Sequence, residues 1–182
     1  MSRRLLALLF FVAVLPLLAQ MQSQMPAVAP AKTPPAAAKA ANATTIYLVC
    51  HAEKLSPTGD SELSEAGRKR AACLATTLAD ANLHSIYTTE FKRTKDTATP
   101  SAKQMNVTAT VVPGADMEKL IAALQQETGH NVLVVGHSNT LPKIIERLGA
   151  GTVTIKDEEY DHLYIVTLVN GQASLASLRY CL

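Results

Sequence analysis

No aspartate or glutamate stands among the first 43 residues of this 182-residue chain, whereas Arg3, Arg4, Lys32 and Lys39 do. Beyond residue 43 the balance reverses: 13 basic side chains face 15 acidic ones, a net of −2. The formal charge of +2 for the whole chain therefore belongs to its N-terminal segment. It gives no footing for a nucleic-acid partner, which would require basic side chains clustered on the folded part.

A long apolar run is also lacking. The longest apolar run, "LLALLFFVAVLPLL", has 14 residues, short of the roughly 20 that a helical span needs. It follows a basic start, "MSRR", and precedes Ala19, a small residue suited to a cleavage point. That layout predicts a secretory signal peptide over 1–19 and a periplasmic or secreted protein with no stable membrane span after cleavage. Leu17 fits the small-x-small cleavage rule poorly, so retention as an anchor stays open. No cysteine follows the run to mark a lipid attachment. Residues 20–43, rich in Ala, Pro, Gln and Met, have no apolar period. They read as a flexible or extended linker, because each proline removes a backbone donor and disfavours helix.

Cysteine is scarce as well. Cys50, Cys73 and Cys181 cannot all pair within one chain, and their spacing matches neither a zinc site nor a disulfide framework. Cys73 falls in an apolar helical stretch and is expected in the core. Cys181 can be free or paired.

What is present is an alternation of strands and helices over 44–182, one domain of ordinary size. "TIYLV", "SIYTT", "VTATVV" and "NVLVVG" read as strands. Between them lie helical stretches: 63–82, with Leu63, Ala66, Ala71, Leu74 and Leu78 on one face and Ser64 as cap; 90–105, which Pro100 should break or kink; and 116–127, capped at or near Asp116. A fourth helix over 139–149 ends at Gly149, and 162–180 reads as a hairpin about Asn170-Gly171. No internal repeat is visible. The expected fold is α/β and three-layered, a mainly parallel sheet with helices on both faces and a C-terminal antiparallel hairpin.

In such sheets ligands bind beyond the carboxyl ends of the strands. Cys50 and His51 end the first strand; Thr88, Thr89 and Glu90, then Lys92 and Arg93, follow the second. Asp116 follows the third, and Gly136, His137 and Ser138 end the fourth. A lone histidine after a strand is usually a cap or a surface residue, but two in equivalent places on parallel strands suggest a shared site. A neutral imidazole can carry a phosphoryl group. A guanidinium fork and a protonated second histidine can bind its oxygens, and backbone N–H groups near Ser138 and Asn139 favour an anion. His51 as nucleophile, with Arg93, His137 and Ser138 around the phosphate, forms a coherent site without a metal or other cofactor.

The segments "YLVCHAEK", "LSEAGRKRA", "IYTTEFKRTKDTA" and "VLVVGHSNT" resemble the successive motifs of the histidine phosphatase superfamily, the phosphoglycerate mutase-like fold. They are most similar to its small branch, which includes short phosphohistidine phosphatases. The resemblance spans 44 to about 180. It implies that His51 is phosphorylated during turnover, that Arg93 binds phosphate, and that His137 is the second active-site histidine. It implies a phosphorylated small molecule or phosphoprotein as partner.

One family residue is missing. Arginine normally precedes the nucleophilic histidine, and Cys50 stands there instead. Losing a donor aimed at transition-state charge can cost about 10²–10³ in rate. A weakened phosphatase is therefore expected, with a pseudophosphatase that only binds phosphorylated ligands as the alternative. Asp116 and Glu118 are candidate general acids, with Glu53 and Glu90 near the same edge. A serine hydrolase on Ser138, with Asp157 or Asp161 and His162 in triad order, lacks the second glycine of G-x-S-x-G, since Thr140 stands there. A metal on His51 and His137 lacks a third assigned ligand.

Overall fold

The computed structural model describes residues 42–181. The expected signal peptide or anchor over 1–19, and the linker up to residue 41, lie outside the described residues. Among the described residues no helix is long and apolar enough to cross a membrane.

Six strands form one mixed sheet: β1 (Thr44–Cys50), β2 (Leu83–Thr88), β3 (Ala109–Val111), β4 (Asn131–Gly136), β5 (His162–Val169) and β6 (Gln172–Arg179), in the order β3-β2-β4-β1-β5-β6. β1, β2, β3 and β4 run parallel; β5 and β6 are antiparallel. The helices are α1 (Glu65–Thr77), α2 (Lys92–Met105), α3 (Met117–Gln126) and α4 (Leu141–Arg147). The α/β architecture is the one expected from the alternation, and the hairpin occupies one edge. Asn170 and Gly171, both at positive φ, make its turn.

Each face of the sheet carries its own core. Ile46, Leu48, Val132 and Val134 point toward α3 and α4, meeting Ile121, Leu124, Ile144 and Ile145. Val49, Leu133 and Val135 point the other way, toward Leu74 and Leu78 on the α1 side and Ala98 of α2. β4 lies between β1 and β2, so both its faces are covered. This explains its unbroken apolar run, without the alternation of a one-sided strand.

Several details differ from the sequence expectation. The buried face of α1 runs through Gly67, Ala71, Leu74 and Ala75, and Ala66 is exposed. The helix crosses the chain after β1 so closely that a Cβ on Gly67 would lie 2.3 Å from the Glu53 carbonyl oxygen. Ser64 does cap the helix, accepting from the Gly67 N–H at 3.1 Å. Pro100 does not end α2, which continues to Met105. Proline removes one helical hydrogen bond, while Ala98 and Ser101 on either side are fully buried and hold the helix against the sheet. Cys73 is not a free core residue but forms a disulfide with Cys181, Cα–Cα 6.2 Å. The residues that follow β6 bring the chain end to α1, with Tyr180 against Leu74 and Arg70. Arg70, one turn earlier, forks onto Glu53 at 2.8–3.0 Å and also reaches the Cys181 carbonyl at 3.4 Å.

Gly67→Ala should destabilise the protein by about 1–3 kcal/mol, because the contact is with backbone and cannot be relieved by a rotamer change. Urea unfolding would measure the loss, with Ala66→Gly as the exposed comparison.

Candidate active site

The register of the two central strands builds the site. Cys50 of β1 lies opposite Gly136 of β4, so the next residues, His51 and His137, emerge side by side at the carboxyl edge. Their ring centroids are 5.4 Å apart, in an edge-to-face arrangement. Gly136 permits the abrupt exit: a Cβ there would lie 2.8 Å from Leu141 Cδ2, where α4 begins. Both histidines are buried, 8% and 9% exposed, yet both line a cleft of about 950 Å³ together with Lys54, Glu90, Arg93, Asp157 and Tyr160, among others.

His51 has a defined tautomer. Its Nδ1 lies 2.8 Å from the Ala52 carbonyl. A carbonyl only accepts, so Nδ1 carries the hydrogen and Nε2 keeps a lone pair. Burial pushes its pKa below the ordinary histidine value, and the positive charges of Arg93 and Lys54 act in the same direction. The imidazole is therefore neutral at pH 7, as a nucleophile must be.

His137 is held differently. Its Nε2 lies 3.0 Å from Thr89 Oγ1, which lies 2.9 Å from Thr94 Oγ1. Thr94 in turn donates to the carbonyl of Phe91 at 2.9 Å. With that hydrogen spent, Thr94 accepts from Thr89, and Thr89 accepts from the His137 Nε2–H. Nδ1 is then the nitrogen able to take up a proton. Burial, then Arg93 and His51, push the His137 pKa down to about 4, while Glu90 raises it slightly. The sequence leads one to expect a protonated second histidine on phosphate. With its pKa near 4 this imidazole is neutral at pH 7, and a bound anion would favour its charged form.

Arg93 enters from the first turn of α2. Its guanidinium stacks on the Phe91 ring, 4.3 Å from the centroid. Its Nε is buried with no hydrogen-bond partner. Arg93 also lines the cleft, and a guanidinium fork there suits an anionic ligand.

The carboxylates are arranged otherwise than expected. Asp116 caps α3, accepting from the Lys119 N–H at 3.2 Å, and it does not line the cleft. Glu118 is ion-paired with Arg147. Glu53 is held by the Arg70 fork. None of these three is placed as a general acid. Glu90 does line the cleft, but its carboxylate accepts from the Gly114 N–H at 2.8 Å. That bond holds its pKa below the usual range, so it is ionised when a donor would be needed. Asp157, Glu158 and Tyr160 also line the cleft. They lie on the segment 149–161 before β5, which the sequence places as pocket-shaping but without a signature that assigns any of the three a role in phosphate chemistry.

Ser138 donates to Asp157 at 2.6 Å. His162 lies instead near Glu159 and Asp161, at 3.9 Å from each. The serine hydrolase triad is therefore not assembled, and the Ser138 hydroxyl is committed to a carboxylate rather than free for a phosphate. α4 starts at Leu141, after a turn in which the Thr140 N–H donates to the His137 carbonyl, so Ser138 and Asn139 precede the helix rather than begin it. Among the described residues no group of three His, Cys, Asp or Glu side chains is close enough to hold a metal ion.

Cys50 is buried, 6% exposed, among the side chains facing α3 and α4. Burial pushes its thiol pKa up to about 12, and the negative charges of Glu159 and Asp157 push the same way. It is a neutral thiol, neither nucleophile nor cation.

The low pKa of His137 has a consequence for stability. Between pH 6.5 and about 4 the folded protein binds fewer protons here than the unfolded chain, so acidification across that window favours unfolding. His137→Gln should remove this contribution. The difference in Tm between variant and wild type should shift in the variant's favour as the pH falls from 7 to 5, measured by thermal denaturation in a single buffer series.

A sequence model of the histidine phosphatase superfamily (branch 1) matches residues 46–117, the span that holds His51 and Arg93. No curated protein compared with the chain matches it in sequence. Solved structures do match. The protein histidine phosphatase SixA complexed with tungstate is 18% identical, with TM-score 0.63, over 74% of this chain and 96% of that one. A phosphoglycerate mutase from Bacillus anthracis str. Sterne is 17% identical, TM-score 0.63, over 76% and 93%. The alpha-ribazole phosphatase from Shigella flexneri is 17% identical, TM-score 0.61, over 74% and 96%. At such identities these likenesses are of fold.

Proposed function

We propose that this chain, a member of the histidine phosphatase superfamily, hydrolyses a phosphate ester or phosphoramidate through a phosphohistidine on His51. The observation that carries the reading is the placement of one lone pair. His51 gives its Nδ1 hydrogen to Ala52, leaving Nε2 free beside His137 and in the same cleft as the Arg93 guanidinium. Tungstate, held in the similar SixA structure, is a tetrahedral oxyanion like phosphate.

In the first step Nε2 attacks phosphorus and the bond to the leaving group breaks. Its electron pair goes with a stabilised oxyanion from an activated ester, or with a phosphoramidate nitrogen that was already protonated in solution and so leaves neutral. Arg93 and Lys54 offset charge on the phosphoryl oxygens. In the second, water attacks the phosphorus, the P–N bond to His51 breaks, and phosphate leaves with the imidazole neutral again. With Glu90 ionised, little help exists for protonating a poor leaving group. Phosphoramidates and activated esters suit the site best, on a small molecule or a phosphoprotein. The two cations carry the stabilisation, so turnover is expected in the presence of a chelator. A periplasmic or secreted location belongs to the same proposal, supported by the signal-like start and by a Cys73–Cys181 disulfide suited to an oxidising compartment.

The direct test is to trap the intermediate. Wild type mixed with a radiolabelled activated phosphate monoester and quenched in alkali should carry acid-labile label that His51→Ala lacks; unlabelled wild type that still turns over would refute it. The second reading, a pseudophosphatase, is favoured by Cys50, a neutral thiol where a guanidinium is missing. It predicts ligand binding with negligible turnover.

A further inference from the structure

The geometry points to Thr97 as the positioning residue that sets the orientation of the His51–Ala52 peptide and, through it, the tautomer of His51. This inference rests on the reading of His51 as nucleophile. Thr97 lies on α2, one turn beyond Arg93, and is fully buried. Its hydroxyl lies 2.7 Å from the Arg93 carbonyl, which can only accept. The single hydroxyl hydrogen is therefore spent on that helical back-bond. The oxygen lone pairs remain, and the Ala52 N–H donates to them at 2.9 Å. Ala52 is itself fully buried, so its N–H has no water to fall back on.

The consequence reaches His51 from both sides. Its own N–H is tied to Gly136 across β1 and β4 at 3.0 Å. The peptide that follows is tied to Thr97, and the next carbonyl takes Nδ1–H at 2.8 Å. Those bonds fix where the Ala52 carbonyl points, and that carbonyl decides which ring nitrogen keeps the lone pair. In free neutral imidazole of histidine the proton favours Nε2, the wrong nitrogen for attack here. Thr97 is also bonded to the backbone of Arg93, so one buried hydroxyl ties the nucleophile's loop to the turn that carries the phosphate-binding cation. No sequence pattern of charge or nucleophilicity marks this threonine.

Serine keeps both bonds; valine keeps the shape and loses both. Ser101, one turn on, is equally buried, with a hydroxyl that has no partner, and serves as control. The experiment compares full-length wild type, Thr97→Ser, Thr97→Val and Ser101→Ala by ¹⁵N–¹H correlation of the histidine rings, with His51→Gln assigning the His51 signals, alongside steady-state kinetics on an activated phosphomonoester. Wild type, Thr97→Ser and Ser101→Ala should show Nδ1-protonated His51 and kcat within about threefold of one another. Thr97→Val should shift His51 toward the Nε2-protonated form and lose about 10–100-fold in kcat, the scale of a misplaced reacting group, with KM changed much less.

Wild-type ring signals and kcat in Thr97→Val would overturn the inference. So would a folded Thr97→Ser that has lost the Nδ1-protonated signature, which decides the matter even if Thr97→Val does not fold. If wild type shows no turnover at all, the phosphatase reading fails while the ring signals still decide the role of Thr97.

Discussion

Full-length protein carrying His51→Ala should lose at least about 10³-fold in kcat/KM toward an activated phosphomonoester such as p-nitrophenyl phosphate, the scale seen when a nucleophile is removed from a site whose other parts remain. The size of the loss follows from how little else in the cleft can replace Nε2. Cys50 is the nearest sulfur in sequence, but its thiol pKa is pushed to about 12, so almost no thiolate exists at pH 7. The Ser138 hydroxyl donates to Asp157 and has no imidazole partner. Nε2 of His137 is engaged by Thr89. The same assay on Ser138→Ala separates the readings: that variant should keep activity within about tenfold, since it loses only the bond that orients Asp157. Activity that survives His51→Ala and vanishes with Ser138→Ala would overturn the histidine mechanism in favour of serine chemistry. Binding of phosphate by His51→Ala should persist, because Arg93 and Lys54 are untouched.

The strands and helices were legible because each obeys a local rule. β4 announced itself as a two-sided apolar run, α1 through Ser64, and the hairpin through Asn170-Gly171. The meeting of His51 and His137 was legible for a related reason: parallel strands with side chains just beyond their ends converge whenever the strands are neighbours, and Cys50 and Gly136 prove to be in register. What was not legible depends on long returns of the chain. Cys73 and Cys181 are 108 residues apart, and only the return of the chain after β6 to α1 joins them. Asp116 and Glu118 lie soon after β3 in sequence, but the start of α3 turns both away from the cleft, one to cap the helix and one to meet Arg147. That the segment 149–161 shapes the pocket was legible, and Asp157, Glu158 and Tyr160 do reach the cleft; what each does there was not, since the segment has no motif of its own. Gly67 shows the same limit at smaller scale: a helical period places Ala66 inward, whereas Gly67 takes that buried place at the close crossing with Glu53, and Leu63, Ala71, Leu74 and Leu78 lie inward as expected.

These returns also set the charge of the cleft. Arg93 and Lys54 face Glu90, Asp157 and Glu158, so the lining holds more formal negative than positive charge once both histidines are neutral. On the proposed function, a phosphoryl group would be drawn mainly to the Arg93 corner and repelled from the acidic loop before β5. A second cation at residue 50 would change that balance directly beside His51, the proposed nucleophile.

Cys50→Arg should accordingly raise kcat/KM by about 10²-fold, within the range attributed to one donor aimed at transition-state charge. Two features of the site bear on the magnitude. The Cys50 side chain is buried on the α3 and α4 side of the sheet, so the guanidinium must reach past the strand end to enter the cleft, and the variant needs a check of its folded state by circular dichroism and Tm. Glu159 and Asp157 act on position 50 electrostatically. They would stabilise the new cation but also compete with phosphate for its fork, and Asp157→Asn added to Cys50→Arg should release a further gain. The pattern separates the two functional readings. A pseudophosphatase starts near zero and gains catalysis only with the arginine. A weakened phosphatase starts with measurable turnover that His51→Ala abolishes, and the arginine raises it. If wild type already equals a well-folded Cys50→Arg, the missing guanidinium was never limiting, and Arg93 with Lys54 supplies all the charge that the transition state uses.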